Sequence, residues 1–320
     1  MNRAKPRVTT TLLLRRARAL QRHLPGAVTG SDHGVHQARV ATRRLREAVP
    51  VLTAGVKGTK EAKARRKIRR LTRALGTVRE LDVAVAILDE LTRKQRVPRP
   101  AVEEVRGHVL AERDRRRELM LERLDKIDPS KLTRRLTSVA AALQDAGTDG
   151  WRDALAARLM KRSKALRSVI AEAGQIYAPD RLHRVRIAAK KLRYALEIAA
   201  ESGVKPAVAS VRVLKRVQAV LGRLNDLQVL QMHVAAVQAN GHNRSVPANA
   251  GLDTLARVLE EECRHLHGRY VSAIPALTAV CDETRAVVVP RLARPHARRR
   301  PVKMTLPAAA PRKRAAAAAH

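Results

Sequence analysis

The sequence contains very few aromatic side chains and very few cysteines. Its 320 residues include no Phe, one Trp, three Tyr and two Cys. Proteins that bind single-stranded nucleic acid usually stack its bases on aromatic rings, so this chain offers little for that mode of binding. Cys263 and Cys281 form no CxxC pair, which argues against a disulfide framework and favours a reducing, cytoplasmic location.

Long apolar runs are also lacking. The apolar run near the N-terminus extends only from Leu12 to Leu14, which is too short for the core of a signal peptide. No stretch approaches the length of a helix that spans a bilayer. We therefore expect a soluble protein without a membrane span.

Acidic residues are scarce relative to basic ones. The chain has 29 Asp and Glu against 66 Lys and Arg, which gives a formal net charge of +37. Such a charge destabilises a compact state by self-repulsion unless an anionic partner offsets it. Nucleic acid, an acidic membrane surface and another polyanion all remain candidates on composition alone. Duplex DNA can be bound through its phosphates without aromatic stacking, so it stays open beside an anion that carries no bases.

Apolar periodicity predicts an all-α fold with little strand character. Helices are expected at about 8–24, 33–54, 59–93, 99–126, 130–146, 150–173, 180–202, 206–239 and 250–287. Gly- and Pro-containing segments separate them, and Asp32 and Asp180 are candidate N-caps. Residues 291–320 differ, because they are rich in Pro, Ala, Lys and Arg and contain no acidic residue. They are expected to form a disordered basic tail.

Two sequence blocks occur twice in the same order. "VHQARVATRRLR" at 35–46 is matched by "LHRVRIAAKKLR" at 182–193, and "LGTVRELDV" at 75–83 by "LGRLNDLQV" at 221–229. Chance similarity among Arg-, Ala- and Leu-rich helices is the alternative, but two blocks at nearly one spacing favour a duplication. We expect one domain over 8–290, with repeat halves 8–146 and 150–290. The simplest architecture is two antiparallel four-helix bundles related by a pseudo-two-fold axis.

The first repeated block places its basic residues on one side of a helix. At 100° per residue they lie opposite an apolar stripe that includes Ala41 and Leu45. We call the two sets ridge 1 and ridge 2. Ridge 1 consists of His36, Arg39, Arg43 and Arg46, and ridge 2 of His183, Arg186, Lys190 and Arg193. Like charges at this spacing destabilise a helix, so an ordinary solvated face is a weaker interpretation than a track that binds phosphates.

The helices that follow the ridges carry further basic rows. On the first of them the row is Arg66, Arg69, Arg70 and Arg73, and on the second it is Arg212, Lys215 and Arg216. If each long helix packs beside its ridge, a groove lined with cations would concentrate positive potential and attract a long anion.

These blocks resemble the CHAD family, named for a conserved-histidine α-helical domain, over about residues 8–290. The resemblance rests on "VHQARVATRRLR" and "LHRVRIAAKKLRYALE", each followed by an "LG…(E/D)L" element. Members are understood to bind inorganic polyphosphate through basic residues on two related four-helix bundles, and some are associated with polyphosphate granules. The resemblance implies anion-binding roles for both ridges. Lys190 stands where ridge 1 has Arg43, and Asn225 stands opposite Arg79. Lysine keeps the positive charge but lacks the paired N–H donors of arginine. The two halves are therefore expected to bind the anion with unequal strength.

Evidence for catalysis is weak in the sequence. The ExExK strand of the triphosphatase domain that some family members carry is missing, as are a Gly-rich phosphate loop, a Ser/His/Asp set and zinc spacing. Glu261 and His265 lie one turn apart near Cys263, but a di-iron bundle needs two such sets. We expect a non-catalytic polyphosphate-binding protein that needs no cofactor or metal. The alternative is an architectural nucleic-acid-binding protein that acts through phosphate contacts and the basic tail.

Overall fold

The computed structural model describes residues 7–54, 59–76, 78–145, 150–240 and 246–292. Within these ranges the chain is helical apart from short turns and connections, and no strand occurs, which confirms the all-α prediction. No helix in these ranges is both long and apolar enough to cross a membrane. Residues 293–320 of the expected basic tail lie outside the described ranges, so the tail's disorder stays a prediction.

The helices follow one another with short connections. They are α1 Val8–Val28, α2 Asp32–Leu52, α3 Thr59–Ala74, α4 Arg79–Arg93, α5 Arg99–Asp125, α6 Pro129–Asp145, α7 Gly150–Ala173, α8 Pro179–Glu201, α9 Pro206–Ala239, α10 Val246–Glu283 and α11 Val289–Leu292. A π-helical turn, Thr284–Val288, joins α10 to α11. Because α11 ends at Leu292, the helical body extends two residues into the segment predicted as tail.

The expectation of one helix over 59–93 was wrong, because the chain forms α3 and α4 with a break between them. Leu75 and Gly76 still bond back to the last turn of α3, and α4 begins at Arg79. The matching segment of the second repeat runs unbroken through α9, although it also contains a glycine, Gly222. The residues after each glycine explain the difference. Thr and Val follow Gly76, whereas Arg and Leu, which are better helix formers, follow Gly222.

The corner between α1 and α2 also differs from the prediction. Helix α1 continues past residue 24 to Val28, with Pro25 in its last turn. The N-cap of α2 is Ser31, whose hydroxyl accepts a hydrogen bond from the Gly34 N–H, so Asp32 lies in the first turn instead. Gly34 is required for the close approach of the two helices, since a Cβ there would lie 2.3 Å from the Gly26 carbonyl carbon. The corner therefore fixes where ridge 1 begins.

The predicted cap of α8 is corrected in the same way. Ala178 is the N-cap residue and makes no side-chain cap, while Asp180 lies in the first turn. A carboxylate in the first turn still interacts favourably with the positive end of the helix dipole. Asp180 and Asp32 thus act at the helix ends for which they were predicted, but through the dipole.

The second half closes into a ring of helices. Helix α7 packs on α8, α8 on α9, α9 on α10, and α10 returns to α7. In the first half, α1 packs on α2 and α6, α3 on α2 and α6, and α4 on α5. The halves meet where α2 contacts α7 and α8, and where α4 and α5 contact α9 and α10. The exact relation of two four-helix bundles by a two-fold axis stays a prediction, as do the domain boundaries.

Ion pairs cross between the halves in both directions. The Arg16 guanidinium on α1 holds Glu201 on α8 with two bonds of 3.0 and 3.2 Å. In the opposite sense, Arg158 on α7 donates to Glu47 on α2, and Arg162 lies 3.6 Å from the same carboxylate. The first helix of each half therefore supplies arginine to a carboxylate on the ridge helix of the other half.

Candidate anion-binding site

The two ridges come together where α2 packs on α8. Leu45 and Leu192, on the apolar sides of these helices, are fully buried. The charge of Arg186 acts on Arg39, and the charges of Arg39 and Arg43, two of the three arginines of ridge 1, act on Lys190. We call this set of cations, two from each half, the central cluster. Its members are Arg39, Arg43, Arg186 and Lys190.

The central cluster is not an ordinary solvated face. The side chains of Arg39 and Arg186 are only 16% and 13% exposed. A buried cation loses hydration and is normally paired with a carboxylate. Here the nearest charged neighbours include other cations, so the cluster concentrates positive charge in a poorly solvated place.

Burial and mutual repulsion lower the pKa of several cluster members. Burial, followed by the charge of Arg43, lowers the pKa of Arg39 to about 10, which leaves its guanidinium charged at neutral pH. Burial also lowers the pKa of Arg186. The effect is larger at Lys190, where burial and then Arg186, Arg43 and Arg39 lower the pKa to about 7. An anion bound at the cluster would relieve this repulsion.

One carboxylate in each half lies at the edge of the cluster. The Glu80 carboxylate on α4 is 3.8 Å from the Arg39 guanidinium, and the Asp226 carboxylate on α9 is 4.0 Å from that of Arg186. Both distances exceed hydrogen-bond length, so the carboxylates contribute charge without occupying the arginine donors. Burial raises the pKa of Asp226, while Arg186 and Lys190 oppose that shift. The two carboxylates offset only part of the cluster's charge.

Several ridge donors are buried without an acceptor. Among the described residues, no hydrogen-bond partner is found for the Nε atoms of Arg39, Arg43, Arg186 and Arg193. An unsatisfied buried donor typically costs about 1–3 kcal/mol, and native proteins contain few of them. These Nε donors are therefore left for an acceptor outside the described residues, although Arg193 also donates to Glu197 through Nη1.

The two ridge histidines have different surroundings. The His183 Nδ1 lies 2.8 Å from the Asn225 Oδ1 on α9, and because that oxygen can only accept, Nδ1 donates. The buried Nδ1 of His36 has no partner among the described residues. Burial, then Arg79 and then Arg39 lower the pKa of His36. The neutral form of His36 is therefore favoured in the free protein.

The last residue of each ridge is also placed differently. Arg193 donates to Glu197 at 2.8 Å and lies over the Tyr194 ring at 4.7 Å. Arg46 is exposed, yet desolvation and then Arg43 lower its pKa. Arg193 is thus held by internal contacts, whereas Arg46 faces outward at the end of ridge 1.

The predicted rows on the following helices are solvent-exposed. All four residues of the α3 row and all three of the α9 row lie on the surface: Arg66, Arg69, Arg70, Arg73, Arg212, Lys215 and Arg216. Arg70 and Arg73 line a groove of about 510 Å³ between α3 and the end of α5, together with Lys67, Arg123 and Lys126. The other lining residues are apolar, so this groove is uniformly basic.

The matching groove of the second half is less basic. Between α9 and α10, Arg216 lines a groove of about 680 Å³ with Arg223 and Arg269, but Glu262 also lines it. Arg223 is bonded to Glu262 at 3.0 Å and pairs with Glu90 across the halves at 3.0 Å. Part of the positive charge in this groove is therefore neutralised within the protein.

The structure adds site residues that the sequence analysis did not assign. Asn225 is hydrogen-bonded to His183, and the charge of Arg79 acts on His36. Glu80 and Asp226 lie 3.8 and 4.0 Å from the arginines. Glu80 and Asp226 are the repeated acidic residues of the "LG…(E/D)L" element, so the repeat itself contained the signal. Glu261, considered as a metal ligand, pairs with Arg257 at 2.9 Å, and the described residues contain no group of three or more potential ligands that could hold a metal.

Comparison with known proteins gives a family and a fold. The family model described as the CHAD domain matches residues 11–235. The chain is similar to the crystal structure of the CHAD domain from the plant Ricinus communis, with a TM-score of 0.55 and 22% identity over 86% of this chain and 90% of that one. It is also similar to PptA from Streptomyces chartreusis, with a TM-score of 0.57 and 14% identity over 83% and 97% of the two chains. At these identities the solved structures indicate a shared fold only. No curated protein matches the sequence.

Proposed function

We propose that this chain, which belongs to the CHAD domain family, binds inorganic polyphosphate without catalysing a reaction. The observation that carries the proposal is the central cluster, in which two cations from each half share a poorly solvated place and, among the described residues, two carboxylates lie loosely beside them. A polyphosphate chain carries negative charge along its whole length. It can therefore satisfy cations from both halves at once through charge-assisted hydrogen bonds.

The ridges and rows together supply more cations than a single phosphate needs. His36 and Arg46 extend the cluster along α2, and His183 and Arg193 extend it along α8. In our proposal the exposed rows on α3 and α9 bind further phosphates of a long chain, with the basic α3–α5 groove as the stronger of the two extensions. Two four-helix bundles related by a two-fold axis would place the ridges beside that axis, and the reciprocal ion pairs between the halves support this arrangement.

Competition with DNA tests the proposal against architectural nucleic-acid binding. Long-chain polyphosphate and duplex DNA should be titrated against the protein at equal phosphate concentration, with fluorescence anisotropy of one labelled ligand as readout. We expect polyphosphate to displace DNA, because the buried cluster admits a narrow chain more readily than a rigid duplex. Displacement in the opposite order would make nucleic-acid binding the better explanation.

A paired substitution tests the cluster itself. Replacing Arg39 and Arg186 with Gln should weaken polyphosphate binding by about 100-fold, at about 1.5 kcal/mol or more for each charged contact. It should also reduce the slope of log affinity against log salt, since fewer counterions are released. The matched control replaces Arg257 and Arg264, which are exposed on α10, and should change both quantities little. If both double variants lost affinity equally, the residues that bind polyphosphate would lie outside the central cluster.

Two further parts of the proposal have direct assays. If binding is non-catalytic, polyphosphate incubated with the protein and Mg²⁺ should keep its chain length by phosphorus NMR, and release of orthophosphate would contradict this. Cytoplasmic location at polyphosphate granules is the expected cellular site. A fluorescent fusion that stays diffuse in cells with visible granules would contradict the granule location.

A further inference from the structure

Lys190 occupies the position in ridge 2 that Arg43 occupies in ridge 1. On its own helix it lies one turn after Arg186, and α2 brings Arg43 and Arg39 towards it. Asp226 on α9 is the acidic group that acts on it, and this carboxylate is itself at 4.0 Å from Arg186. Within the described ranges, no carboxylate reaches ion-pair distance of the Lys190 amine. The amine therefore belongs to a group of four cations where α2 packs on α8, and Asp226 is the carboxylate that acts on it.

The chemistry of lysine gives this position a property that arginine cannot supply. An arginine guanidinium stays protonated in proteins, whereas a lysine amine releases its proton when it is buried or repelled by other cations. Burial and the three arginines lower the pKa of Lys190 to about 7. The neutral amine therefore forms closer to neutral pH at Lys190 than it does at a solvent-exposed lysine.

We propose that Lys190 takes up a proton from solvent when a phosphate chain binds at the central cluster, so that binding is coupled to pH in the neutral and mildly alkaline range. The inference rests on the proposed function and adds its regulation. The phosphate oxygens replace the repulsion from Arg39, Arg43 and Arg186 with attraction, which favours the ammonium form. One N–H bond forms at Nζ, and the new ammonium donates to the bound anion.

The sign of the pH effect follows from linkage. Binding raises the pKa of Lys190 above its value in the free protein, so the complex holds more protons than the separate partners. Affinity is therefore highest below pH 7 and falls as pH rises from 7 towards the pKa of the complex. The decline reaches at most about tenfold per pH unit for one proton.

Other titrating groups near the cluster act in a different pH range. His36 has a pKa lowered from 6.5 by burial, Arg79 and Arg39, so its contribution to binding changes on the acidic side of Lys190. Burial raises the pKa of the Asp226 carboxyl, and Arg186 and Lys190 oppose that shift. Arg39, with a pKa of about 10, stays charged at neutral pH, as does Arg186. Between pH 7 and 9, the proposal thus assigns the pH dependence to Lys190.

Calorimetry can count the proton directly. Polyphosphate of defined length should be titrated into the full-length protein at pH 7.5 in two buffers of different ionisation enthalpy. Wild type should take up between about half a proton and one proton per site. Lys190→Arg should lose most of this uptake, whereas His36→Gln should retain it. Unchanged uptake in Lys190→Arg would overturn the proposal.

Affinity against pH supplies a second readout. Between pH 6 and pH 8.5 the affinity of wild type should fall about tenfold relative to that of Lys190→Arg, because the charge of the arginine does not titrate. Lys190→Met keeps the proposal testable if arginine does not fit. It should bind more weakly than wild type at pH 6 and approach wild type at pH 8.5. Parallel pH profiles in all three proteins would overturn the inference, while failure of wild type to bind polyphosphate at any pH would instead overturn the proposed function.

Discussion

The two halves keep the same arginine–carboxylate pair but give their histidines different neighbours. Arg39 and Glu80 in the first half correspond to Arg186 and Asp226 in the second, and the two pairs have nearly equal separations of 3.8 and 4.0 Å. The histidines do not correspond in this way. His183 is hydrogen-bonded to Asn225, whereas His36 faces the charge of Arg79.

This difference separates the residues of the repeated motif that are alike in both halves from those that differ. The arginine and its loosely held carboxylate remain alike in both halves, as expected if both contact the same repeating ligand. The partner of the histidine and the third position of the ridge, Arg43 or Lys190, have diverged. At this third position the first half therefore has a permanent charge, and in our proposal the second half has a charge that depends on pH.

Removing charge from one half at a time gives the largest expected effect. Arg39→Gln with Arg43→Gln, and Arg186→Gln with Lys190→Gln, should each weaken polyphosphate binding by about 100-fold at pH 6. At pH 8.5 the loss in the second pair should be up to about tenfold smaller, because Lys190 is then largely neutral in the free protein. Fluorescence anisotropy at both pH values measures this, and identical losses at pH 8.5 would mean that Lys190 behaves as a permanent charge.

The buried carboxylates at the contact between the halves should contribute comparably to the free energy of unfolding, whichever half carries the carboxylate. Glu47→Gln disrupts the contacts with Arg158 and Arg162 across the halves. Glu197→Gln disrupts the contact with Arg44 across the halves and also the contact with Arg193 on its own helix. Both carboxylates are mostly buried, so each change should lower the free energy of unfolding by about 1–3 kcal/mol. Urea unfolding measures it.

An exposed carboxylate serves as the control for that pair. Glu261→Gln breaks an ion pair with Arg257 in which both side chains are more than half exposed, and it should cost less than about 0.5 kcal/mol. A cost as small for Glu47 or Glu197 would show that the halves do not depend on each other's charges.

The histidines should differ in their contribution to stability. His183→Ala removes a hydrogen bond and leaves the buried Asn225 oxygen without its donor, which should cost about 1–2 kcal/mol. His36→Ala removes no hydrogen bond seen in the described residues and should cost less. The midpoints of urea unfolding give the comparison, and a greater loss for His36 would show that its packing outweighs the His183 hydrogen bond.

The two repeated glycines should give the smallest difference. Gly222→Ala lies inside the continuous α9, where an added Cβ meets nothing within 4 Å, so it should stabilise the protein by about 0.5–1 kcal/mol. At Gly76 an added Cβ would lie 3.2 Å from the Arg73 carbonyl oxygen, and the same change should bring no gain. Thermal unfolding of both variants tests this, and a gain at Gly76 would mean that the α3 end relaxes easily.

Much of the helical fold could be predicted because each helix has its own apolar stripe. Periodicity depends only on local sequence, which is why α5, α7 and α9 begin and end close to the expected residues. The break between α3 and α4 was missed because the glycine is present in both repeats. The two segments differ in the helix propensity of the two residues that follow the glycine. This is a small local effect, and the apolar periodicity on either side of the glycine is a stronger signal.

The site could be predicted only in part, for a related reason. The side of the helix on which Arg39 and Arg43 lie follows from sequence spacing, but their neighbours come from another helix or the other half. The acidic residue of the second block recurs in both repeats and could have been assigned to the site. The lowered pKa of Lys190 could not, because it depends first on burial, and then on Arg186 together with two arginines that α2 contributes.

The exchange of arginines between α1 and α7 has a consequence for how the two copies can change over time. Each copy supplies the counter-ions for carboxylates on the other, as Arg16 does for Glu201 and Arg158 for Glu47. Loss of an arginine from one half would therefore leave a carboxylate of the other half without the cation that binds it. Neither half can lose its first helix without disturbing the charge balance of the other.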